Sequence, residues 1–177
     1  HGATHSGFSQ VILLPNNPNV LMTAQQARAL ARVDLKVVPT RTICEGIAAM
    51  VAFNPTLDLE ANMAAMTEAA SLVQTIELTR AVRSTRINGL QVEEGQVIGL
   101  LNGKLVDAGE ELDEVALDLI EQVNPAEREV VTVYCGDEVS IREGELLAES
   151  IRARWPHIEV QVVDGGQPHY PYILSVE

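Results

Sequence analysis

Aromatic residues are scarce in this chain of 177 residues, where Phe, Trp and Tyr together make up 3%. Because 46% of the residues are hydrophobic, the core must be built from Val, Leu, Ile, Ala and Met. Such a core suits parallel strands covered by helices. The length allows one compact domain, with room for two small lobes.

Cysteine and long apolar runs are also scarce. Two cysteines, Cys44 and Cys135, do not make a disulfide framework, and buried free thiols in a reducing cytoplasm are the simpler interpretation. The sequence has no apolar run of about 18 residues, so it predicts no membrane-spanning helix. Residues 1–10 have no signal-peptide pattern and are interpreted as a tag or linker.

Basic residues are outnumbered: 12 Lys and Arg face 25 Asp and Glu, a formal net charge of −13. A nucleic-acid backbone would be repelled by such a surface, and so would an anionic membrane. Neither is therefore expected as a partner. The acidity itself is interpreted as a contribution to solubility.

The hydrophobic pattern predicts an α/β fold. Apolar runs at 10–14 and 35–38 are typical of buried strands, and each is followed by a segment with helical spacing. This strand–helix alternation predicts a mainly parallel sheet with flanking helices. A further helix is predicted over 58–73, where a stripe of Leu, Met, Ala and Val is interpreted as core.

The middle of the chain changes rhythm. Residues 75–107 contain the turn signals Asn88-Gly89 and Asn102-Gly103, which predict an antiparallel β-hairpin insertion or small second lobe, with a strand over 75–84. Ser140 and Glu143 have the spacing of a capping box at a helix start. Later elements are predicted as a helix at 112–123, a strand at 130–134, a helix from Ser140 to about Trp155 and strands at 158–163 and 172–176.

No complete catalytic motif is present. The sequence lacks GxxxxGK[ST], GxGxxG, HExxH, paired CxxC and GxSxG, so neither a nucleotide cradle, a zinc site nor a hydrolase nucleophile is predicted. Three polar loops remain, at 15–19, 40–42 and 165–169. The first two lie between a strand and a helix, where open α/β sheets bind ligands, and they could hold a carboxylate or phosphate. The alternatives are helix capping by Asn or Thr, and a tight turn in the third loop.

Several separated motifs resemble one known family. They are LLPNNPNV followed by AQQA, then KVVPTRTICEGIAAMVAFNP, AVRSTRINGLQVEEGQVIGLLNGKLV and the terminal VDGGQPHYPYILSVE. In this order they resemble the carboxyl-terminal, DegV-like domain of the dihydroxyacetone kinase-like family that forms the A component of fatty-acid kinase, over roughly Val11 to Glu177. The family's polar loops correspond here to Asn16, Asn17, Asn19, Thr40, Arg41, Thr42, Arg83, Gly165, Gly166 and Gln167.

The resemblance implies a fragment of a longer kinase. In such a protein an amino-terminal DhaL-like domain binds ATP and magnesium, and a separate DegV-like subunit carries the fatty acid, whose carboxylate is phosphorylated. This chain has no match to the aspartate-rich metal loop of the ATP domain, so no cofactor and no catalytic residue are expected in it. An upstream strand–helix unit of the family pattern is also absent.

Three functions remain open from the sequence. The first is an accessory domain that docks the fatty-acid-carrying partner, and the second is a small-anion or carboxylate site that takes part in phosphoryl transfer. The third is a scaffold that supports assembly, including a homodimer.

Overall fold

The computed structural model describes residues 7–87 and 89–177. The chain divides into two compact units, one up to Val73 and one over Gln74–Glu177. Each unit has its own cluster of buried hydrophobic residues. Residues 1–6, most of the segment interpreted as a tag or linker, lie outside the described residues.

The amino-terminal unit contains a pair of parallel strands, with Val11 opposite Leu35. Its first helix begins with Pro18, whose missing N–H costs nothing at that position. The predicted order of strand, helix, strand and helix is confirmed here, as is the helix over 58–73. The elements are β1 (Gln10–Leu13), α1 (Pro18–Leu30), β2 (Asp34–Val37), α2 (Ile43–Ala52) and α3 (Leu59–Leu72).

The core of this unit lies between the strands and helices α2 and α3. Met66 is 1% exposed and packs with Val38, Ala49 and Ala70, which confirms the methionine stripe as core. Asn62 is also buried, and its amide binds backbone groups of residues 54–58, which join α2 to α3. A buried polar side chain is tolerated there because it is hydrogen-bonded.

The carboxyl-terminal unit contains eight strands and two α-helices among the described residues. Ser140 and Glu143 form the predicted capping box at the start of its second α-helix. The elements are β3 (Gln74–Arg80), β4 (Thr85–Ile87), β5 (Leu90–Val92), β6 (Val97–Leu101), β7 (Lys104–Gly109), α4 (Leu112–Gln122), a 3-10 turn (Pro125–Glu127), β8 (Val130–Cys135), α5 (Ile141–Arg154), β9 (Glu159–Asp164) and β10 (Tyr172–Val176).

Six of these strands form one sheet in the order β7–β6–β3–β10–β8–β9. Only β8 and β9 are parallel neighbours, and the other pairs are antiparallel. The α/β class is confirmed, but the prediction of a mainly parallel sheet is wrong. Strand β10 lies between β3 and β8 and runs antiparallel to both, so these two strands share a direction without being neighbours.

The antiparallel character of residues 75–107 is confirmed, but their description as an insertion is wrong. Strands β3, β6 and β7 form half of the main sheet, and only β4 and β5 form a separate hairpin. The predicted turn at Asn102 and Gly103 has the expected positive φ values of 51° and 76°. Asn88 lies outside the described residues.

Candidate functional site

The first two polar loops meet in the amino-terminal unit. The backbone N–H of Asn16 donates to Thr40 Oγ1 at 3.1 Å, and Thr40 is fully buried. Asn16 has a φ of 53°, a left-handed conformation that Asn tolerates better than most residues. Its Oδ1 is buried without a hydrogen-bond partner among the described residues and lies against Gly46 of α2.

The helix starts in these loops are capped by the chain's own side chains. Asn17 Oδ1 accepts from the Asn19 N–H at 2.8 Å, and Thr42 Oγ1 accepts from the Glu45 N–H at 3.2 Å. The Glu45 carboxylate in turn accepts from the N–H of the exposed residue Arg41. These oxygens occupy N–H groups that a bound anion would use. The geometry therefore supports capping, and anion binding stays a prediction.

The third loop folds back onto the end of β8. The N–H groups of Gly165 and Gly166 donate to the Cys135 carbonyl at 2.9 and 3.0 Å. Gln167 Nε2 donates to the carbonyls of Tyr134 and Tyr170 at 3.0 and 3.1 Å. Gly166 has a φ of 58°, which favours glycine. The polar groups of this loop thus serve a tight turn.

The predicted site residues are divided between the two units. Arg83 lies in the carboxyl-terminal unit with the third loop, and it is exposed. The predicted strand over 75–84 ends at Arg80, so the placement of Arg83 on that strand is wrong. Within the units, the structure brings Asn16 to Thr40 and Gly165 to Gln167.

A cleft in the carboxyl-terminal unit was not predicted from the sequence. It has a volume of about 410 Å³ and lies at the starts of α4 and α5, with the buried ring of Tyr172 in its wall. We call it the acidic cleft, because four carboxylates and one guanidinium line it. Its lining residues are Arg80, Glu111, Leu112, Asp113, Glu114, Val139, Glu143, Leu146 and Tyr172.

The charges in the acidic cleft are unbalanced. Burial raises the pKa of Asp113, and the nearby charges of Glu111 and Glu143 raise it further. Hydrogen bonds from the Ser140 backbone N–H and hydroxyl lower the pKa of Glu143. Arg80 donates to the Gly95 carbonyl at 3.2 Å and is the only cation among the lining residues just named. The carboxylates of the cleft thus outnumber its cations at neutral pH.

One sequence signal could have pointed to this cleft. Asp113 and Glu114 stand in the first turn of α4, and Glu143 stands in the first turn of α5. Acidic residues are common at helix starts because they oppose the positive end of the helix dipole. That local explanation hides the fact that the two helix starts converge on one cleft, which only the sheet order decides.

A second cleft lies in the amino-terminal unit, with a volume of about 420 Å³. We call it the apolar cleft, since most of its lining is aliphatic or aromatic. It is bordered by β1, the end of α2 and the start of α3. Its lining residues are Gln10, Ile12, Leu14, Met50, Phe53, Pro55, Leu57, Leu59, Asn62 and Met66.

Membrane-spanning helices and metal clusters are absent from the described ranges. Within residues 7–87 and 89–177, no helix has both the length and the apolar character that crossing a membrane requires. The same ranges contain no group of three or more His, Cys, Asp or Glu side chains placed to hold a metal ion. Both cysteines are buried free thiols, as predicted.

The architecture is that of DegV-like proteins. The structure of the Streptococcus pneumoniae Fatty Acid Kinase (Fak) B3 protein loaded with linoleic acid aligns with 97% of this chain and 73% of its own, with a TM-score of 0.65 and 12% identity. The DegV family protein Cg2579 of Corynebacterium glutamicum aligns with 95% of this chain and 75% of its own, also with a TM-score of 0.65 and 12% identity. The chain is thus a mixed α/β protein with a DegV-like fold.

Sequence similarity then places the chain in a family. The model of the FakA-like carboxyl-terminal family of fatty acid kinase proteins matches residues 2–177, and the chain belongs to that family. Protein YloV of Bacillus subtilis is 35% identical over 167 residues, which are 94% of this chain and 30% of YloV. Uncharacterized protein SH1689 of Staphylococcus haemolyticus is 34% identical over 172 residues, 97% of this chain and 31% of that protein. The chain therefore spans about 30% of the length of these relatives.

Proposed function

We propose that this chain is a non-catalytic accessory domain of a fatty-acid kinase, and that it docks the DegV-like partner subunit that carries the fatty acid. In this proposal the longer polypeptide binds ATP and magnesium in a separate amino-terminal, DhaL-like domain and acts in the cytoplasm. The observation that carries the proposal is the acidic cleft, which offers a concave surface of one dominant charge sign to a cationic side chain of the partner.

Repulsion within the acidic cleft gives a partner cation something to relieve. Asp113 is partly buried beside Glu111 and Glu143, and its raised pKa shows that its charged form is disfavoured. An inserted Lys or Arg would stabilise these carboxylates, while a negatively charged partner would be rejected. Complementary charge of this kind speeds association and selects the correct partner.

Helix stabilisation explains only part of this acidity. Glu143 is engaged by Ser140, and Asp113 opposes the dipole of α4. Glu111, in contrast, is the residue before α4 and makes no side-chain capping hydrogen bond. Both Glu111 and the neighbouring Glu114 are exposed, so their carboxylates are accessible to a partner.

The choice of partner rests on the family. The chain belongs to the FakA-like proteins, and the Fak B3 protein of Streptococcus pneumoniae has a structure loaded with linoleic acid. We infer that the protein docked by this chain is a fatty-acid-binding protein of that kind. It would deliver its ligand to the kinase polypeptide while this domain holds the two together.

Neutralising the exposed carboxylates tests the proposal. We expect the double variant Glu111→Gln, Glu114→Gln to bind an acyl-loaded DegV-like protein of the same organism about tenfold more weakly in calorimetric titration, because two charges facing a cation are lost. The matched control is Glu68→Gln, Glu149→Gln, which removes two exposed carboxylates outside the cleft.

Ionic strength provides the second arm of this test. Affinity of the unmodified chain should fall as NaCl is raised, and the affinity of the cleft variant should depend less on salt. Equal binding by the cleft and control variants would contradict the role of the acidic cleft. No saturable binding by the unmodified chain at low salt would contradict docking itself.

A further inference from the structure

The parallel pair β1–β2 has two edges that differ in chemistry. Strand β2 carries Asp34 and Lys36, and Lys36 Nζ binds the Glu60 carboxylate at 2.6 Å. Charged side chains, Lys above all, protect the edge of a sheet against pairing. Strand β1 reads Gln-Val-Ile-Leu and carries no charge. Its edge therefore lacks the protection that β2 has.

The backbone of β1 has hydrogen-bonding groups that face away from β2. The carbonyls of Ser9 and Leu13 accept from the N–H groups of Asp34 and Val38 at 2.9 and 3.1 Å, so these alternate residues face β2. Gln10 and Ile12 have the opposite parity, and their N–H and C=O groups face the other edge. Among the described residues, this sheet has no third strand to pair with them.

The apolar cleft lies beside the same strand. Ile12 and Leu14 border it from β1 and the residue after it, while Met50 and Phe53 border it from the end of α2. A strand of a parallel sheet under helices is normally buried on both faces, yet no residue of β1 is fully buried and Leu13 is 36% exposed. The apolar lining of this unit thus exceeds what two strands cover.

We propose that one further β-strand pairs with β1 through Gln10 and Ile12 and places alternate apolar side chains in the apolar cleft. The geometry requires an extended, uncharged segment with apolar residues at every second position. A third strand would also stabilise the sheet, since two strands alone are marginal.

The donor that we assign is the remaining part of the same longer polypeptide. The matched region is only 30% of YloV and 31% of SH1689, so more than two thirds of such a polypeptide is available. Solved DegV-like chains also contain more than this chain covers, which is 73% of Fak B3 and 75% of Cg2579. A strand on the same polypeptide has a high effective concentration and needs no separate binding event.

Residue-resolved hydrogen exchange tests this proposal on the 177-residue chain and on the longer polypeptide that contains it. We expect the amides of Gln10 and Ile12 to exchange roughly 100-fold more slowly in the longer polypeptide, because they change from unpaired to paired. The amides of Val11 and Leu13 face β2 in both proteins and serve as internal controls.

Gln10→Pro provides the matched perturbation. It removes one N–H from the open edge and leaves the groups that pair with β2 in place. In the longer polypeptide this variant should return the exchange of Ile12 to within about threefold of its rate in the shorter chain. Gln10→Ala, which keeps the N–H, should preserve the slow exchange.

Each alternative donor gives a different result that overturns the assignment. Equally fast exchange in both proteins would mean that no strand is added. Slowing in the shorter chain that depends on its concentration would identify a second copy, and slowing without concentration dependence would place the cover within these residues. Slowing that appears only after a DegV-like protein is added would identify the partner, and this outcome is distinct from any change at Glu111 and Glu114.

Discussion

The contact between Gly144 and Cys135 shows how closely single residues fit in the carboxyl-terminal unit. Gly144 lies inside α5, where glycine is a poor helix former, and Cys135 is a fully buried residue at the end of β8. A Cβ at residue 144 would lie 2.3 Å from Cys135 Sγ and 3.0 Å from Val162 Cγ1. The absence of a side chain thus lets α5 approach the sheet.

Gly144→Ala should therefore destabilise the protein by roughly 1–3 kcal/mol, the usual cost of overpacking a core, although Ala is the better helix former. Cys135→Ala removes the sulfur that the new methyl group meets. The double variant should be less destabilised than the sum of the two single variants, as measured by urea unfolding followed by circular dichroism. Strictly additive effects would show that this contact does not decide the fit.

At the scale of elements, the capping box of α5 joins stability to pH. Ser140 Oγ accepts from the Glu143 N–H at 3.3 Å, and the Glu143 carboxylate accepts from the Ser140 N–H and hydroxyl at 2.8 and 2.7 Å. Ser140→Ala removes the cap and should cost about 1 kcal/mol at pH 7. Ser150→Ala is the control, since its exposed hydroxyl donates to the Leu146 carbonyl within the same helix and caps nothing.

The sign of the pH effect follows from the lowered pKa of Glu143. A carboxyl group whose pKa is lower in the folded state stabilises the protein above its unfolded pKa, and this contribution is lost as the pH falls through the folded value. The difference between the unmodified chain and Ser140→Ala should therefore shrink below about pH 4.5, near the ordinary pKa of a Glu side chain. A constant difference down to about pH 3 would count against the carboxylate as the second half of the cap.

At the scale of the whole molecule, the net charge of −13 sets the response to salt. The ion pairs seen among the described residues involve Lys36, Arg152 and Arg154, and all of them reach solvent. Such surface pairs contribute about 1 kcal/mol or less each, so screening them costs little. Screening the excess negative charge relieves repulsion in the folded state.

We therefore expect the midpoint of thermal unfolding to rise by a few degrees between about 20 mM and about 500 mM NaCl. Differential scanning calorimetry with NaCl and KCl separates this charge effect from specific binding of one cation. A midpoint that falls with both salts would show that the local ion pairs outweigh the repulsion.

Helices and strands were predicted well from the sequence, and the sheet was not. Each strand and helix follows from local periodicity, as with the stripe of α3 or the capping box at Ser140. The position of β10 between β3 and β8 depends on contacts between residues far apart in sequence, such as Leu174 with Ile76 and Val133. No local pattern carries that information, so a parallel sheet was the natural but wrong expectation.

The candidate sites divide in the same way. Capping by Asn17 and Thr42 was readable from residue type and place in the chain, because a cap acts over three or four residues. The acidic cleft was not readable, since its carboxylates come from two helices whose starts the sheet brings together.

By itself the sequence determined the elements, the aliphatic core, the free thiols and the resemblance to fatty-acid kinase proteins, because these depend on neighbouring residues and on composition. Only the tertiary structure decided the antiparallel sheet, the acidic cleft and the unprotected edge of β1. These features arise where distant segments meet, and the free energy of those contacts belongs to the folded chain as a whole.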